Sequence, residues 1–285
     1  MVTREAIVQG LGALGLDRSS AVIAHTSLRS FGQVDGGADT VCAALLETCG
    51  TALLPSGSWD LTGVPAPPGL VRPNNAAHVA ESWQEFEQSL AAATPFSLDL
   101  PVDRWLGVVP ETMRRNHPHV RSPHPLFGFL AVGDRAEQLI AASRADFSLG
   151  PLDALAELGG EVLLLGVDHT SNTAIHLAEQ RLGRSRFHRC AKVDDGVWAE
   201  FPNISGESHR FDEIEPALAP FTTETKIGQC RARRIAIADV LATTERLITA
   251  DPTALLCQDA DCRCGAALRQ RLAAVREPVR PSPRA

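Results

Sequence analysis

The sequence contains no long apolar run and no excess of positive charge. No stretch approaches the roughly 20 apolar residues that a helix needs to cross a bilayer, and the N-terminus lacks the apolar core of a signal peptide. The formal net charge of -7 argues against nucleic-acid binding and is compatible with a cationic partner. We therefore expect a cytoplasmic protein that binds neither a membrane nor nucleic acid.

The Walker motif and the nucleophile-elbow motif are also missing. The chain has no Walker sequence and no nucleophile elbow of the form G-x-S-x-G. None of the seven cysteines lies in the segment 162–179, which carries the densest group of polar residues after an apolar run. These absences favour direct transfer, in which a base deprotonates an incoming nucleophile, over a covalent enzyme intermediate.

The order of the predicted elements indicates an α/β protein. An amphipathic helix over residues 4–14 precedes an apolar strand over 21–25, and a further helix and strand follow. This alternation favours one large domain with a mixed, largely parallel sheet flanked by helices. We place the domain at residues 1–275 and predict that residues 276–285, rich in Pro and Arg, form a disordered tail.

Two other segments have a recognisable local character. The proline-rich excursion 64–95 is long for a connection, and long connections often serve as lids or binding loops. Residues 191–201 resemble a hairpin with its turn at Asp194-Asp195-Gly196.

The segment 162–179 is the strongest candidate for an active site. Its apolar run ends at Gly166, so His169 falls in a strand-to-helix turn, where open α/β sheets place their ligands. Asn172, His176 and Glu179 follow at i, i+4 and i+7, which puts them on one face of the predicted helix. An imidazole suits proton transfer near neutral pH. A histidine on a helix face is nevertheless more often a hydrogen-bonded structural residue, and that alternative stays open for His176.

A second polar cluster lies ahead of the second helix. Ser27, Arg29, Ser30 and Gly32 precede the helix N-terminus at Gly36-Gly37, where backbone N–H groups favour anions. Arg121 with Ser122 is held extended by neighbouring prolines and could supply another anion contact. The alternative for the first loop is an ordinary turn.

The cysteines divide into two groups. Cys42 and Cys49 fit small core residues, whereas Cys257, Cys262 and Cys264 cluster in a polar stretch. Clustered thiols in a reducing compartment bind metal more often than they form disulfides. A tetrahedral zinc site needs a fourth ligand, for which Cys190 is the candidate and Cys230 or His188 the reserves.

Three motifs resemble those of the aminoglycoside 3-N-acetyltransferases, in the order that the family has them. They are residues 25–32 (HTSLRSFG) with 36–38 (GGA), residues 121–125 (RSPHP), and residues 163–179 (LLLGVDHTSNTAIHLAE). The resemblance implies an acetyl-CoA-dependent enzyme that acetylates the 3-amine of an aminoglycoside's deoxystreptamine ring and confers resistance. It also implies a fold distinct from GNAT-type acetyltransferases.

The resemblance further implies roles for individual residues. His169 would be the catalytic base, with Asn172, His176 and Glu179 beside it. Glu179 would orient an imidazole or bind a substrate ammonium, and Asp60 and Asp168 are further candidates for binding the cationic substrate. The residues expected to contact coenzyme A are Ser27, Leu28, Arg29, Ser30, Phe31, Gly32, Arg121 and Ser122. The subgroup with a Cys-rich C-terminus implies a structural zinc ion on Cys190, Cys257, Cys262 and Cys264.

The chain departs from the family pattern at the acceptor side. Residues 201–207 (FPNISGE) stand where an acidic, drug-binding loop is expected, and the excursion 64–95 also differs. Two alternatives therefore remain beside aminoglycoside acetylation: acetylation of another natural-product amine in a biosynthetic pathway, and a catalytically silent module that keeps the coenzyme A loop. The expected partner is a small cationic amine, and the expected assembly is a monomer or a homodimer.

Overall fold

A computed structural model describes residues 1–69 and 78–276. The α-helices in that part of the chain are α1 (Arg4–Ala13), α2 (Gly37–Thr48), α3 (Trp59–Thr62), α4 (Trp83–Ala92), α5 (Val108–Asn116), α6 (Ala136–Ile140), α7 (Gly150–Glu157), α8 (Thr173–Arg181), α9 (Glu215–Leu218), α10 (Ile237–Ala250) and α11 (Cys264–Arg276). The strands are β1 (Ala21–Thr26), β2 (Thr51–Pro55), β3 (Gly63–Val64), β4 (Val120–Arg121), β5 (Phe129–Gly133), β6 (Glu161–Leu165), β7 (Phe187–Asp194), β8 (Val197–Ile204), β9 (Thr223–Ile227) and β10 (Cys230–Ala236).

The main sheet has seven strands in the order β4-β5-β2-β1-β6-β10-β9. Its three central strands, β2, β1 and β6, are parallel, with Ile23 of β1 opposite Leu53 on one side and Val162 on the other. The outer pairs are antiparallel. The sheet is therefore mixed, and its parallel strands end at one edge, the position where α/β proteins bind ligands.

Helices cover both faces of this sheet because successive side chains of a strand point in opposite directions. Val22 and Ala24 pack in one core cluster with α1 and α2, whereas Ile23 packs in the other with α8 and α10. His25, two residues after Ile23, lies on that second face and reaches the first turn of α8. The α/β class and the flanking helices predicted from the sequence are confirmed.

A smaller three-stranded sheet, in the order β3-β7-β8, lies beside the main one. Strands β7 and β8 form the predicted hairpin, and the turn is where the sequence indicated it, with Gly196 at a φ of 68°. In the predicted excursion, β3 joins this small sheet and α4 packs against it through Phe86. Residues 70–77 of the excursion lie outside the described residues.

Gly10, Gly12 and Gly15 have the spacing of a dinucleotide-binding fingerprint, but the first two lie within α1, which no strand precedes in the described chain, so the context that the motif requires is absent. The predicted tail falls, apart from Arg276 at the end of α11, outside the described residues. No helix of residues 1–69 and 78–276 is both long and apolar enough to span a membrane.

Candidate active site

A cavity of about 820 Å³ opens at the carboxyl ends of the three parallel strands, a size typical of small-molecule sites. Each strand leads directly into the cavity wall: Thr26 ends β1 and Ser27 to Arg29 follow it, and Pro55 ends β2 and Gly57 follows it. Four residues after β6 complete this part of the wall: Val167, Thr170, Ser171 and Thr173. Trp105, Phe127, Ser205, Gly206 and Ser208 supply further walls. The topology therefore gathers segments that are far apart in the sequence around one site.

His176 reaches this cavity from α8 and is paired with a carboxylate. Its Nδ1 lies 2.9 Å from Oε2 of Glu179, one turn further along the helix. The side chain of His176 is 13% exposed and that of Glu179 only 1%. The His176 ring also packs edge-on against Phe211, with 4.7 Å between the ring centres. Two neighbours thus hold the imidazole in one orientation.

The pair has the arrangement of a general base. An ionised carboxylate only accepts hydrogen bonds, so Nδ1–H of His176 donates a hydrogen bond to Glu179 and Nε2 keeps its lone pair. That lone pair can take a proton from a group bound in the cavity. Oε1 of Glu179 accepts from Arg184 at 2.8 Å, and the 1% exposed carboxylate is not among the residues that line the cavity. Of the two roles expected for Glu179, this position supports orienting an imidazole and does not support binding a substrate ammonium.

The structure does not place His169, the expected base, at the cavity. His169 is 1% exposed and is not among the residues that line the cavity. Its Nδ1 lies 3.2 Å from the side-chain amide nitrogen of Asn172, and its backbone N–H donates to Asp212. Burial, with the nearby charge of Arg233, lowers the pKa of His169 to about 4. A neutral, enclosed imidazole of this kind supports the turn between β6 and α8.

Two other expected site residues have local structural tasks, and a third lies on the surface. Asn172 is fully buried and caps α8, its side-chain oxygen accepting from the backbone of Ala174 at 3.2 Å. Asp168 accepts from the backbone N–H of Thr170 at 3.0 Å and from its hydroxyl. Asp60 is exposed on α3. Asp168 and Asp60 do not line the cavity, so neither predicted substrate contact is supported.

The expected coenzyme A loop divides in the structure. Ser27, Leu28, Arg29 and Gly32 line the cavity, as does Gly37 at the start of α2. Phe31 is 1% exposed in the core, and the hydroxyl of Ser30 donates to Ser27's carbonyl at 2.7 Å. Ser30 and Phe31 are not among the lining residues, so they shape the loop from behind.

Arg121 and Ser122 are structural, contrary to expectation. Arg121 donates to the hydroxyls of Ser56 and Ser58 at 2.7 and 2.8 Å and to several backbone carbonyls. Burial lowers the pKa of this guanidinium to about 10. Ser122 accepts from the backbone of Phe129 at 2.8 Å. Every nitrogen of the Arg121 fork is used inside the protein, so no donor remains for a phosphate.

His25 is a cavity residue that was quoted in a motif but received no role. Its Nε2 accepts from the backbone N–H of Thr173, at 3.4 Å, across the gap between β1 and α8. Burial lowers its pKa to about 3, so the ring stays neutral at physiological pH. The period of β1 was the available signal, because it places His25 on the same face as Ile23 and hence towards α8.

Four potential metal ligands meet near the C-terminal helix. The ligand atoms of His209, Cys257, Cys262 and Cys264 all lie within 4.8 Å of one another. The predicted fourth ligand, Cys190, is wrong: it is buried on β7 opposite Val64 and packs in the small-sheet core.

The reserve ligands also lie elsewhere. Cys230 is buried beside Ser30, and burial raises its pKa to about 11, while His188 pairs with Glu200 at 3.4 Å. Sequence reasoning missed His209, whose only signal was its place in a polar segment.

The donor set of this cluster fits zinc. Three thiolates and one imidazole are a common set for closed structural zinc sites. A backbone hydrogen bond from Asp259, together with one from His209, lowers the pKa of the Cys257 thiol to about 7. This favours the thiolate form that binds metal. His209 follows Ser208, which lines the cavity, so the cluster adjoins the active-site wall.

The fold and site describe an α/β protein whose cavity is lined by an imidazole paired with a buried carboxylate. The model of the aminoglycoside 3-N-acetyltransferase family matches residues 23–249. The chain is similar to the aminoglycoside N(3')-acetyltransferase-like protein YokD of Bacillus subtilis, at 31% identity over 86% of this chain and 91% of that one. It is 33% identical to aminoglycoside N(3)-acetyltransferase IX of Micromonospora chalcea over 84% of this chain and 87% of that one.

Solved structures agree with this similarity. The apoenzyme of aminoglycoside acetyltransferase AAC(3)-IVa matches with a TM-score of 0.74 and 28% identity, over 94% of this chain and 98% of that one. Structures of a variant of that enzyme contain a gentamicin or apramycin. The chain belongs to the aminoglycoside 3-N-acetyltransferase family.

Proposed function

We propose that the protein transfers the acetyl group of acetyl-CoA to an amine of an aminoglycoside, at the 3-amino group of the deoxystreptamine ring. The observation that carries this proposal is the His176–Glu179 pair at the wall of a cavity built on the carboxyl ends of parallel strands. Family membership supports the reaction class, and the aminoglycosides bound to a similar enzyme support the substrate class.

The reaction proceeds within a ternary complex. Nε2 of His176 accepts a proton from the amine as the amine nitrogen attacks the thioester carbonyl carbon. The tetrahedral intermediate then collapses, the C–S bond breaks, and coenzyme A leaves as a thiolate that regains a proton from the imidazolium. Glu179 stabilises that imidazolium through Nδ1. Positioning both substrates against one imidazole removes most of the entropic barrier of a two-substrate reaction.

Coenzyme A binds along the loop after β1. Arg29 is exposed at the cavity wall, and the N-terminus of α2 begins at Gly37, which has open space around it. Backbone N–H groups at a helix N-terminus and a guanidinium fork are both suited to phosphate. This end of the cavity therefore holds the phosphates, and the thioester points towards His176.

A second acceptor class is favoured by one observation. Among the described residues that line the cavity there is no Asp or Glu, whereas a polycationic drug is usually bound by carboxylates. The lining is instead rich in hydroxyls and apolar groups. An amine with fewer charges, made in a biosynthetic pathway, is the alternative substrate that this lining suits.

An acceptor panel distinguishes the two. Release of coenzyme A thiol is followed with gentamicin, apramycin and mono-amine natural products, and product NMR locates the acetyl group. Turnover of the aminoglycosides with acetylation at the 3-amine supports the first proposal, and drug tolerance of a susceptible strain that expresses the chain then tests resistance. Turnover of mono-amines alone establishes the second, and no thiol release with any acceptor would refute both and favour a silent binding module.

We also propose that His209, Cys257, Cys262 and Cys264 hold a structural zinc ion. The convergence of their ligand atoms supports this site. The ion would tie the segment before α11 to the loop that carries Ser208, and stabilise the fold without taking part in the transfer. The monomer-or-homodimer state stays a prediction.

A further inference from the structure

Arg184 is a fully buried cation next to the catalytic pair. Its side chain is 0% exposed, and its Nε donates to Oε1 of Glu179 at 2.8 Å. Its Nη1 donates to the backbone carbonyls of Pro252 and Ala254 at 3.2 and 2.9 Å. These contacts fix the guanidinium between α8 and the chain that follows α10, so it has little freedom to move.

Glu179 therefore links two different groups. Its Oε2 accepts from the imidazole that lines the cavity, and its Oε1 accepts from Arg184. Glu179 is 1% exposed, and burying a charged group is costly unless a cation or hydrogen-bond donors lie against it. A protonated Glu179 would lose the negative charge that polarises His176. The basicity of His176 therefore depends on Arg184, which contacts the other oxygen of the Glu179 carboxylate.

We propose that Arg184 is a positioning residue that acts through Glu179, keeping this carboxylate ionised and its Oε2 aimed at Nδ1 of His176. The inference rests on the proposed function and adds Arg184 to the His176–Glu179 pair. Arg184 touches neither substrate, because it lies behind Glu179 and does not line the cavity. Its contribution is to the basicity of the imidazole and the choice of its tautomer.

A kinetic double-mutant cycle tests the inference. Arg184→Met, Glu179→Gln and the double variant are compared, with Arg181→Ala as the control, because Arg181 lies in an exposed ion pair on the same helix. We expect Arg184→Met to lower kcat by about 10- to 100-fold, within the range for impaired base catalysis, with KM for acetyl-CoA unchanged within about twofold. In the Glu179→Gln background the same change should cost less than about twofold, because the two act as one unit.

The pH profile separates positioning from mere structural support. Loss of the Glu179 charge lowers the basicity of His176, so the acidic limb of kcat/KM should move to lower pH in Arg184→Met and only partly in Arg184→Lys. Independent, multiplicative losses in the cycle, or an unmoved limb, would overturn the inference. The double variant carries no unpaired buried ion, so it keeps the cycle usable if the single variant folds poorly.

An NMR measurement distinguishes failure of this inference from failure of the proposed function. Ring nitrogen shifts report the tautomer of His176 without any acceptor, and a His176→Gln sample assigns the signal. The Nδ1–H tautomer should dominate in the parent protein and lose population in Arg184→Met. If the tautomer is unaffected, the inference is wrong even where turnover is normal. If no acceptor is turned over but the tautomer responds, only the proposed reaction is refuted.

Discussion

Nδ1 of His176 lies 2.9 Å from Oε2 of Glu179, three residues further along the same helix. The contact leaves the other ring nitrogen for the cavity and buries the carboxylate behind it. His169, seven residues earlier, is enclosed by the protein and does not reach the cavity. We therefore expect that the direction of the side chains decides which of these two neighbouring histidines performs the chemistry.

His176→Gln should lower kcat by roughly 10²–10⁴, the usual loss when a general base is removed, while affinity for acetyl-CoA is retained. His169→Gln is the matched comparison, and its kcat should stay within about fivefold of the parent value, because the ring is not at the cavity. Steady-state kinetics with thiol detection measures both. If His169→Gln is the slower variant, the assignment of the base must be reversed.

The burial of His169 predicts how stability depends on pH. Its pKa is lowered to about 4 in the folded protein, whereas the unfolded chain takes up the proton near 6.5. The unfolded state thus binds more protons between these values, so stability is full above about pH 6.5 and falls as the pH drops through this window.

This single group should account for about 2 kcal/mol of the stability lost between pH 7.5 and pH 5. Urea denaturation of the parent protein and of His169→Gln at both pH values measures the difference in slope. Equal losses in the two proteins would show that His169 does not contribute to acid sensitivity.

Arg29→Ala should weaken coenzyme A binding roughly tenfold, the effect of losing one charged hydrogen bond at an exposed site. Arg29 lines the cavity beside the start of α2, whereas Arg121 is consumed by internal hydrogen bonds. Calorimetry with coenzyme A gives the affinities, and Arg181→Ala is a control remote from the loop. An unchanged affinity for Arg29→Ala would place the phosphates elsewhere.

Zinc analysis distinguishes the ligand set with His209 from the set with Cys190 that the sequence suggested. Protein purified without a His-tag should contain about one zinc per chain, the stoichiometry of one closed tetrahedral site. Cys262→Ser and His209→Ala should lose the metal together with thermal stability, whereas Cys190→Ala should keep it, since Cys190 lies on β7 away from the cluster. A parent protein that is metal-free after such purification, or Cys190→Ala without zinc, contradicts the proposed site.

Much of the fold could be predicted from the sequence. Apolar residues recur at helical or strand period in residues 4–14 and 21–25, and α1 and β1 form there. The turn at 194–196 was equally readable, because Asp-Asp-Gly is a local signal for a hairpin. The antiparallel pairing of the outer strands of the main sheet could not be predicted, because it depends on partners distant in the chain.

Only part of the candidate site could be predicted from the sequence. The spacing of His176 and Glu179 on α8 and the polar loop after β1 are local patterns, and both line or adjoin the cavity. Arg184 carried no such pattern, because its partners Pro252 and Ala254 come from a different part of the chain. No period in the sequence predicts that contact.

Patterns among residues close in sequence therefore determined the helices and strands and the face of α8 that carries His176 and Glu179. They also determined the cluster of Cys257, Cys262 and Cys264 around the start of α11. Contacts between distant segments decided the rest: that His169 turns inwards, that Arg121 is consumed by Ser56 and Ser58, and that His209 completes the cysteine cluster. The physical reason is that helix and strand periods order side chains only along their own element. Burial and pairing arise where elements meet, and that depends on how the whole chain packs.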